Sequence, residues 1–210
     1  MWMRERPIIF SAESVRAILN GSKSQTRRVV KPQPSRQLEP GKGDAGYWFS
    51  PSYHSPGWRC LYGKPGDRLI VREGWRWYGR IREPGMVEGG FEYRADGTHR
   101  KFTDFADPED AWEQFQAAAV NEAYHWRPSI HMPRWASRIT LELTEVRVER
   151  LQDITEEDAI AEGCRATSTD TFAQSARAHY FQIWDELNGK KYPWAHNPWV
   201  WVLSFRRVEQ

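Results

Sequence analysis

The stretch "ITLELTEVRVERLQDITEEDAIAEG" (Ile139–Gly163) changes period in its middle, and that change decides how the chain is read. Apolar residues alternate with polar ones through Ile139, Leu141 and Leu143, the period of two expected of a strand with one buried face. The alternation slips at Thr144–Glu145 and resumes at Val146 and Val148, as a bulge or turn produces. Beyond Asp153 the pattern becomes helical. Thr155 stands as a cap, with Asp158 where a capping box usually places Glu or Gln, and Gly163 supplies the stop. Glu162 is left on the last turn of this short helix, where the helix dipole mildly disfavours a carboxylate.

On the C-terminal side, "DTFAQSARAHYFQIWDELNG" (Asp170–Gly189) sets Phe172, Ala176, Tyr180, Ile183, Trp184 and Leu187 at helical spacing. "NPWVWVLSFRRV" (Asn197–Val208) then alternates as a closing strand. On the N-terminal side, "HMPRWASRI" (His131–Ile139) places Arg134, Trp135 and Arg138 just ahead of the central strand. That mixture can grip phosphate and stack a base, or it can pin the sheet by packing, and the residues alone leave both open.

Further out, "YGKPGDRLIVREGW" (Tyr62–Trp75) puts a Pro-Gly-Asp turn before a strand at Leu69–Val71, whose far end delivers Arg72, Glu73 and Trp75. "FSAESVRAILNGSK" (Phe10–Lys23) reads as a short helix capped by Ser11, with a stripe of Val15, Ile18 and Leu19 and a stop at Asn20–Gly21. The following "GSKSQTRR" (Gly21–Arg28) turns before an extended Val29–Val30. A turn here can aim Lys23, Ser24 and Thr26 into one space, although charged turns are usually solvated. Lys31 to Trp58 is rich in Pro, Gly and Ser and is expected to be a long surface loop. Gly79 to Trp126 reads as a poorly patterned insertion, apart from a helix starting at Asp107 or Pro108.

The order of elements lacks a βαβ rhythm, so the expected class is α+β: a small mixed β-barrel or curled sheet with peripheral helices, in a single domain spanning 1–210. The 30 basic residues, most of them Arg, nearly balance 28 acidic ones, which argues against a bulk nucleic-acid coat but permits a local basic groove. Two cysteines without a CxxC, and scattered histidines, suggest neither a disulfide framework nor a metal site. No Walker loop, GxGxxG after a strand, HExxH or GxSxG is present. Charges in the first ten residues and the lack of a long apolar run lead to the expectation of a soluble, unprocessed protein, the cysteine usage fits a reducing cytoplasm, and no cofactor is expected. The 12 tryptophans are read as core packing, a minority of them as base-stacking platforms.

Taken in order, the helix running into "NGSKSQTRR", "PGDRLIVREGW", the 139–163 stretch and "NPWVWVLSFRRV" resemble the ASCH domain of the PUA-like superfamily, in particular the enlarged forms encoded by tailed phages and prophages. The resemblance covers roughly residues 5–31, 60–76, 130–165 and 195–208. It implies a β-barrel with a cleft and a kinship with domains that bind RNA or modified nucleotides. Small bacterial members are amidohydrolases that deacylate N4-acetylcytidine with a Lys, a Thr and a Glu. Their G-x-K-x-x-T run is matched by Gly21 to Thr26, which carries the Lys and Thr roles to Lys23 and Thr26. The family Glu lies eight positions after the residue opening an "(L/I)TE" segment, and counting from Ile154 reaches Glu162. The implied scheme has Thr26 attacking or positioning water, Lys23 accepting the proton and Glu162 orienting Lys23 and serving the leaving amine. Arg27, Arg28, Arg72 and Trp75, with Arg134, Trp135 and Arg138, are the expected contacts to substrate or to RNA or DNA. Three rivals remain: a non-catalytic reader of nucleic acid or modified nucleotides, a metal-free ribonuclease, and a phage interaction or assembly protein.

Overall fold

The structure, a computed structural model, describes residues 4–35, 38–40, 47–49, 57–83, 86–104, 113, 125–166 and 174–208. In chain order its regular elements are β1 (Glu5–Ile9), α1 (Ala12–Leu19), β2 (Gln25–Val29), β3 (Glu39–Pro40), β4 (Tyr47–Phe49), β5 (Trp58–Arg59), β6 (Arg68–Arg72), β7 (Trp75–Glu83), β8 (Met86–Tyr93), β9 (His99–Lys101), β10 (Thr140–Arg150), α2 (Glu156–Ala161), α3 (Ala176–Asn188) and β11 (Trp199–Val208). The fold is α+β, with three sheets and few helices among the described residues. The largest sheet has five strands in the order β1-β6-β10-β11-β2, and β3-β4-β5 and β7-β8-β9 form the other two. Among the described residues no sheet closes into a barrel. No helix among them is long and apolar enough to cross a membrane.

Local rules account for most of the boundaries. Ser11 accepts a hydrogen bond from the Ser14 amide at the start of α1, and Gly21 adopts φ +78° just beyond its end. In β10 the buried side chains run through Leu141 and Leu143, skip exposed Thr144 and Glu145, and resume at Val146. Thr155 caps α2 by accepting from the Asp158 amide, and Gly163 leaves the helix at φ +90°. Ser175 caps α3 in the same way.

The chain divides into two compact units. Unit 1 comprises residues 1–6, 17–69 and 141–209, and unit 2 comprises residues 7–16, 70–140 and 210. In unit 1 a core of Leu151, Ile154, Ala159, Cys164, Ala176, Tyr180, Trp184, Val200 and Val202 joins α2 and α3 to one face of β11. Each large side chain buried there contributes about 1.5–3 kcal/mol. In unit 2, Trp75, Trp77, Phe91 and Tyr93 alternate inward from the β7–β8 hairpin and pack with Phe102, Met132 and Ala136.

Several expectations need correction. β2 begins at Gln25, so half of the charged "turn" is strand, made so by antiparallel pairing with β11 from Val200↔Val29 to Ser204↔Gln25. The Pro-rich segment carries the short strands β3, β4 and β5 in its described part rather than running wholly as loop. The 79–126 insertion contains the rest of β7 and all of β8 and β9. The helix expected from Asp107 or Pro108 falls, apart from Glu113, outside the described residues, as does Phe172. Leu187, placed at helical spacing with Tyr180 and Trp184, is 70% exposed, because α3 turns its inner face through those two residues.

Candidate functional site

Lys23 and Glu162 come from segments 139 residues apart and meet within unit 1. Their backbones form an antiparallel bridge, extended by the Ser24 amide donating to the Ala161 carbonyl at 2.8 Å. Lys23 Nζ donates to Glu162 Oε2 at 2.6 Å and to the Glu162 carbonyl at 2.7 Å. Each side chain is only 4% exposed. Gly163 is what allows this approach. Besides its positive φ, a Cβ there would lie 3.2 Å from Ala17 Cβ and 3.4 Å from Lys23 Cβ.

The second oxygen of Glu162 faces Arg27. Arg27 Nη1 donates to Glu162 Oε1 at 3.4 Å and to Gln25 Oε1 at 2.7 Å, while Nη2 donates to Asp158 Oδ2 at 2.8 Å and to Glu149. Arg147 closes the outer side with two 2.9 Å bonds to Asp158 and one of 3.1 Å to Glu149. The cluster therefore sets Lys23, Arg27 and Arg147 against Glu162, Asp158 and Glu149. Burial works to raise the Asp158 carboxyl, but hydrogen bonds from Arg147 and Gln25, with the charges of Arg27 and Arg147, outweigh it and hold Asp158 below the usual range. Burial likewise works against the charge of Arg27, and the nearby carboxylate of Glu162 leads the effects that leave its pKa raised. Cys164, buried beside the pair, has its thiol pushed up to about 12 by burial and then by the charge of Glu162.

Thr26 occupies the intervening position on β2. The pleat turns successive side chains to opposite faces, so Thr26 and Arg28 leave the strand away from Gln25 and Arg27. Their register partners on β11 are Leu203 and Trp201, whereas Arg27 is opposite Val202 of the helix-covered core. Lys23 and Glu162 are thus brought together, with Arg27 joining them, and Thr26 is directed to the other face.

The remaining candidates belong to unit 2. Arg72 donates to the Ile130 carbonyl at 3.0 Å. Trp75 is buried in the aromatic core, with the Arg127 guanidinium 5.5 Å from its ring centroid. Trp135 packs edge-on against Phe91 at 5.1 Å, and Arg134, on the same single turn, is exposed. Arg138 is engaged by two carboxylates: Nε and Nη2 reach Glu73 at 2.8 and 2.9 Å, and Nη1 and Nη2 reach Asp96 at 2.9 and 3.1 Å. Its guanidinium also lies 4.1 Å from the Tyr93 ring centroid. Trp135 and Arg138 therefore act as packing pins in this structure.

Sequence reasoning missed Asp158, Glu149 and Arg147 as partners of the site. Arg147 and Glu149 share one face of β10, and that shared parity was the available signal. Among the described residues no group of three or more His, Cys, Asp or Glu is placed to hold a metal ion.

No family model matches the chain, and no curated protein does. Among solved structures, a crystal structure of a protein from Enterococcus faecalis V583, of the family model DUF984, aligns with 99% of this chain and 82% of its own at 11% identity and a TM-score of 0.38. A likeness that low carries no argument about fold or function.

Proposed function

We propose that the chain is an ASCH-type, PUA-like cytoplasmic protein that hydrolyses the amide of an N4-acylated cytosine nucleoside or a similar modified base without a metal. The observation that carries this reading is the buried Lys23–Glu162 pair, assembled from two of the four stretches that carry the resemblance. The scheme requires Lys23 to act as an amine and Glu162 as an acid, so one proton crosses the 2.6 Å contact between them before the reaction starts. The amine takes a proton from the attacking hydroxyl as its oxygen bonds to the acyl carbon. Glu162 then protonates N4 as the C–N bond breaks, giving a carboxylic acid and the free cytosine amine. The proton returns across the same contact, so the pair ends as it began. With Thr26 on the other face of β2, the attacking oxygen is assigned to water.

The test is release of cytidine from N4-acetylcytidine, followed chromatographically. Lys23→Ala and Glu162→Ala are each expected to lower turnover by about 10²–10⁴-fold, the usual contribution of a positioned acid or base. Thr26→Ala is expected to lower it less than either. Absence of turnover by the wild-type protein would remove the hydrolase reading.

The low exposure of both members of the pair favours one alternative, a non-catalytic module for nucleic acid or modified nucleotides in which the pair is structural. Such a module binds oligonucleotides in a salt-dependent way that survives Lys23→Ala and weakens on Arg134→Ala.

A further inference from the structure

Arg27 invites assignment to phosphate, yet its side chain is 0% exposed and all three of its guanidinium nitrogens donate within the protein. Two of its carboxylate partners, Glu149 and Asp158, are held in turn by Arg147, which leaves Arg27 backed by a fixed frame. Glu162 needs such an anchor. It stands at the C-terminal cap of α2, where the dipole repels a carboxylate, and its other oxygen must stay on Lys23.

We infer that Arg27 is a positioning residue: it holds Glu162 Oε1 so that Oε2 stays on Lys23 Nζ. Its catalytic consequence rests on the hydrolase reading above, whereas the positioning itself does not. Charge balance is the competing explanation. The cluster has three cations and three anions, and an arginine that merely neutralises its neighbours would be conserved in the energetics for that reason alone.

The two explanations separate in a charge-compensated pair of variants. Arg27→Gln leaves two cations against three carboxylates, and adding Glu149→Gln restores two against two without restoring the contact to Glu162. The double variant is expected to regain the thermal stability lost in Arg27→Gln. Its kcat on N4-acetylcytidine is expected to stay about 100-fold low, as for a misplaced reacting group, with KM within about twofold of wild type. Recovery of kcat together with stability overturns the inference.

A readout independent of turnover comes from reductive methylation of the intact protein, with the Lys23 peptide quantified by mass spectrometry. In the double variant Lys23 is expected to label about tenfold faster than in wild type, because the carboxylate covering it is no longer held. Unchanged labelling overturns the inference even if the enzyme is active. Faster labelling in a protein that never hydrolyses the substrate supports it while removing the hydrolase reading.

Discussion

Each unit of this chain sets an arginine between carboxylates, and the two centres differ in what else they hold. In unit 2, Arg138 is forked between Glu73 and Asp96 and lies over Tyr93. That arrangement closes on itself. In unit 1, Arg27 is one of three cations facing three carboxylates, and one of those cations is a lysine bonded to the free oxygen of Glu162. Arginine stays protonated under all conditions of interest, whereas a lysine amine can accept and return a proton. The same ionic chemistry thus makes a pin in one unit and, with one lysine added, a candidate site in the other.

Opening the pin is expected to have the largest effect. Arg138→Met leaves Glu73, which is 1% exposed, and Asp96 without their fork. Removing one member of a buried pair costs about 3–5 kcal/mol, because the remaining charge stays desolvated. Urea unfolding should show a loss of that size, while turnover of N4-acetylcytidine per folded molecule stays at the wild-type level. A loss of turnover at unchanged stability would break the distinction between the two centres, since it would place Arg138 in the reaction.

A smaller effect separates the site's geometry from its charges. Gly163→Ala alters no charge, but it puts a Cβ into a φ of +90° and within 3.2 Å of Ala17 Cβ. Where the native backbone is incompatible with alanine the penalty exceeds the about 0.4–1 kcal/mol that alanine otherwise contributes. The expected result is a lower melting temperature together with reduced turnover, because relieving the positive φ and the 3.2 Å contact shifts the backbone beside Glu162, which carries the bridge to Lys23. Retained turnover would show that the Lys23–Glu162 contact tolerates a shift in the bridge that carries it.

What the sequence revealed follows the range of the forces involved. Ser11, Thr155 and Gly163 were legible because caps and stops act over three or four residues, and β10 was legible because its alternation survives a single slip. β2 was half missed: Gln25 to Arg28 has no apolar pattern of its own and becomes strand by pairing with β11. The β7–β8 hairpin carried its signal in the alternation of Trp75 and Trp77 with Phe91 and Tyr93, but paired glycines at Gly79↔Gly89 broke the pattern. Lys23 was singled out by its turn and Glu162 by its unfavourable place at a helix end, and the motif resemblance joined the two. The frame around them was not, because Arg27 lies 122 residues from Glu149 and 131 from Asp158, beyond any local rule. The same limit left Arg138 undecided between phosphate contact and packing, since its partner Glu73 lies 65 residues earlier.

The smallest predicted effect concerns acid, and it has opposite signs at Glu73 in the pin and Asp158 in the site, although Asp96 in the pin is lowered as Asp158 is. Burial is the larger influence on Glu73 and raises it from 4.5 despite the hydrogen bonds and charge of Arg138. Between 4.5 and its raised value the folded protein keeps a proton that the unfolded chain has released, so stability contributed by Glu73 falls as pH rises through that window. Asp158 behaves in reverse. Its folded value lies below 3.8, so its contribution is fully present above 3.8 and is lost as pH falls through the lowered value. Urea unfolding across this acidic range, read as the difference between wild type and each variant, isolates the two terms. Asp158→Asn should remove a contribution that grows with pH below and around 3.8, and Glu73→Gln should remove one that shrinks with pH above 4.5. Differences of the same sign for both would mean that burial and ionic partners balance alike at Glu73 and Asp158, and the contrast between pin and site would then rest on the lysine alone.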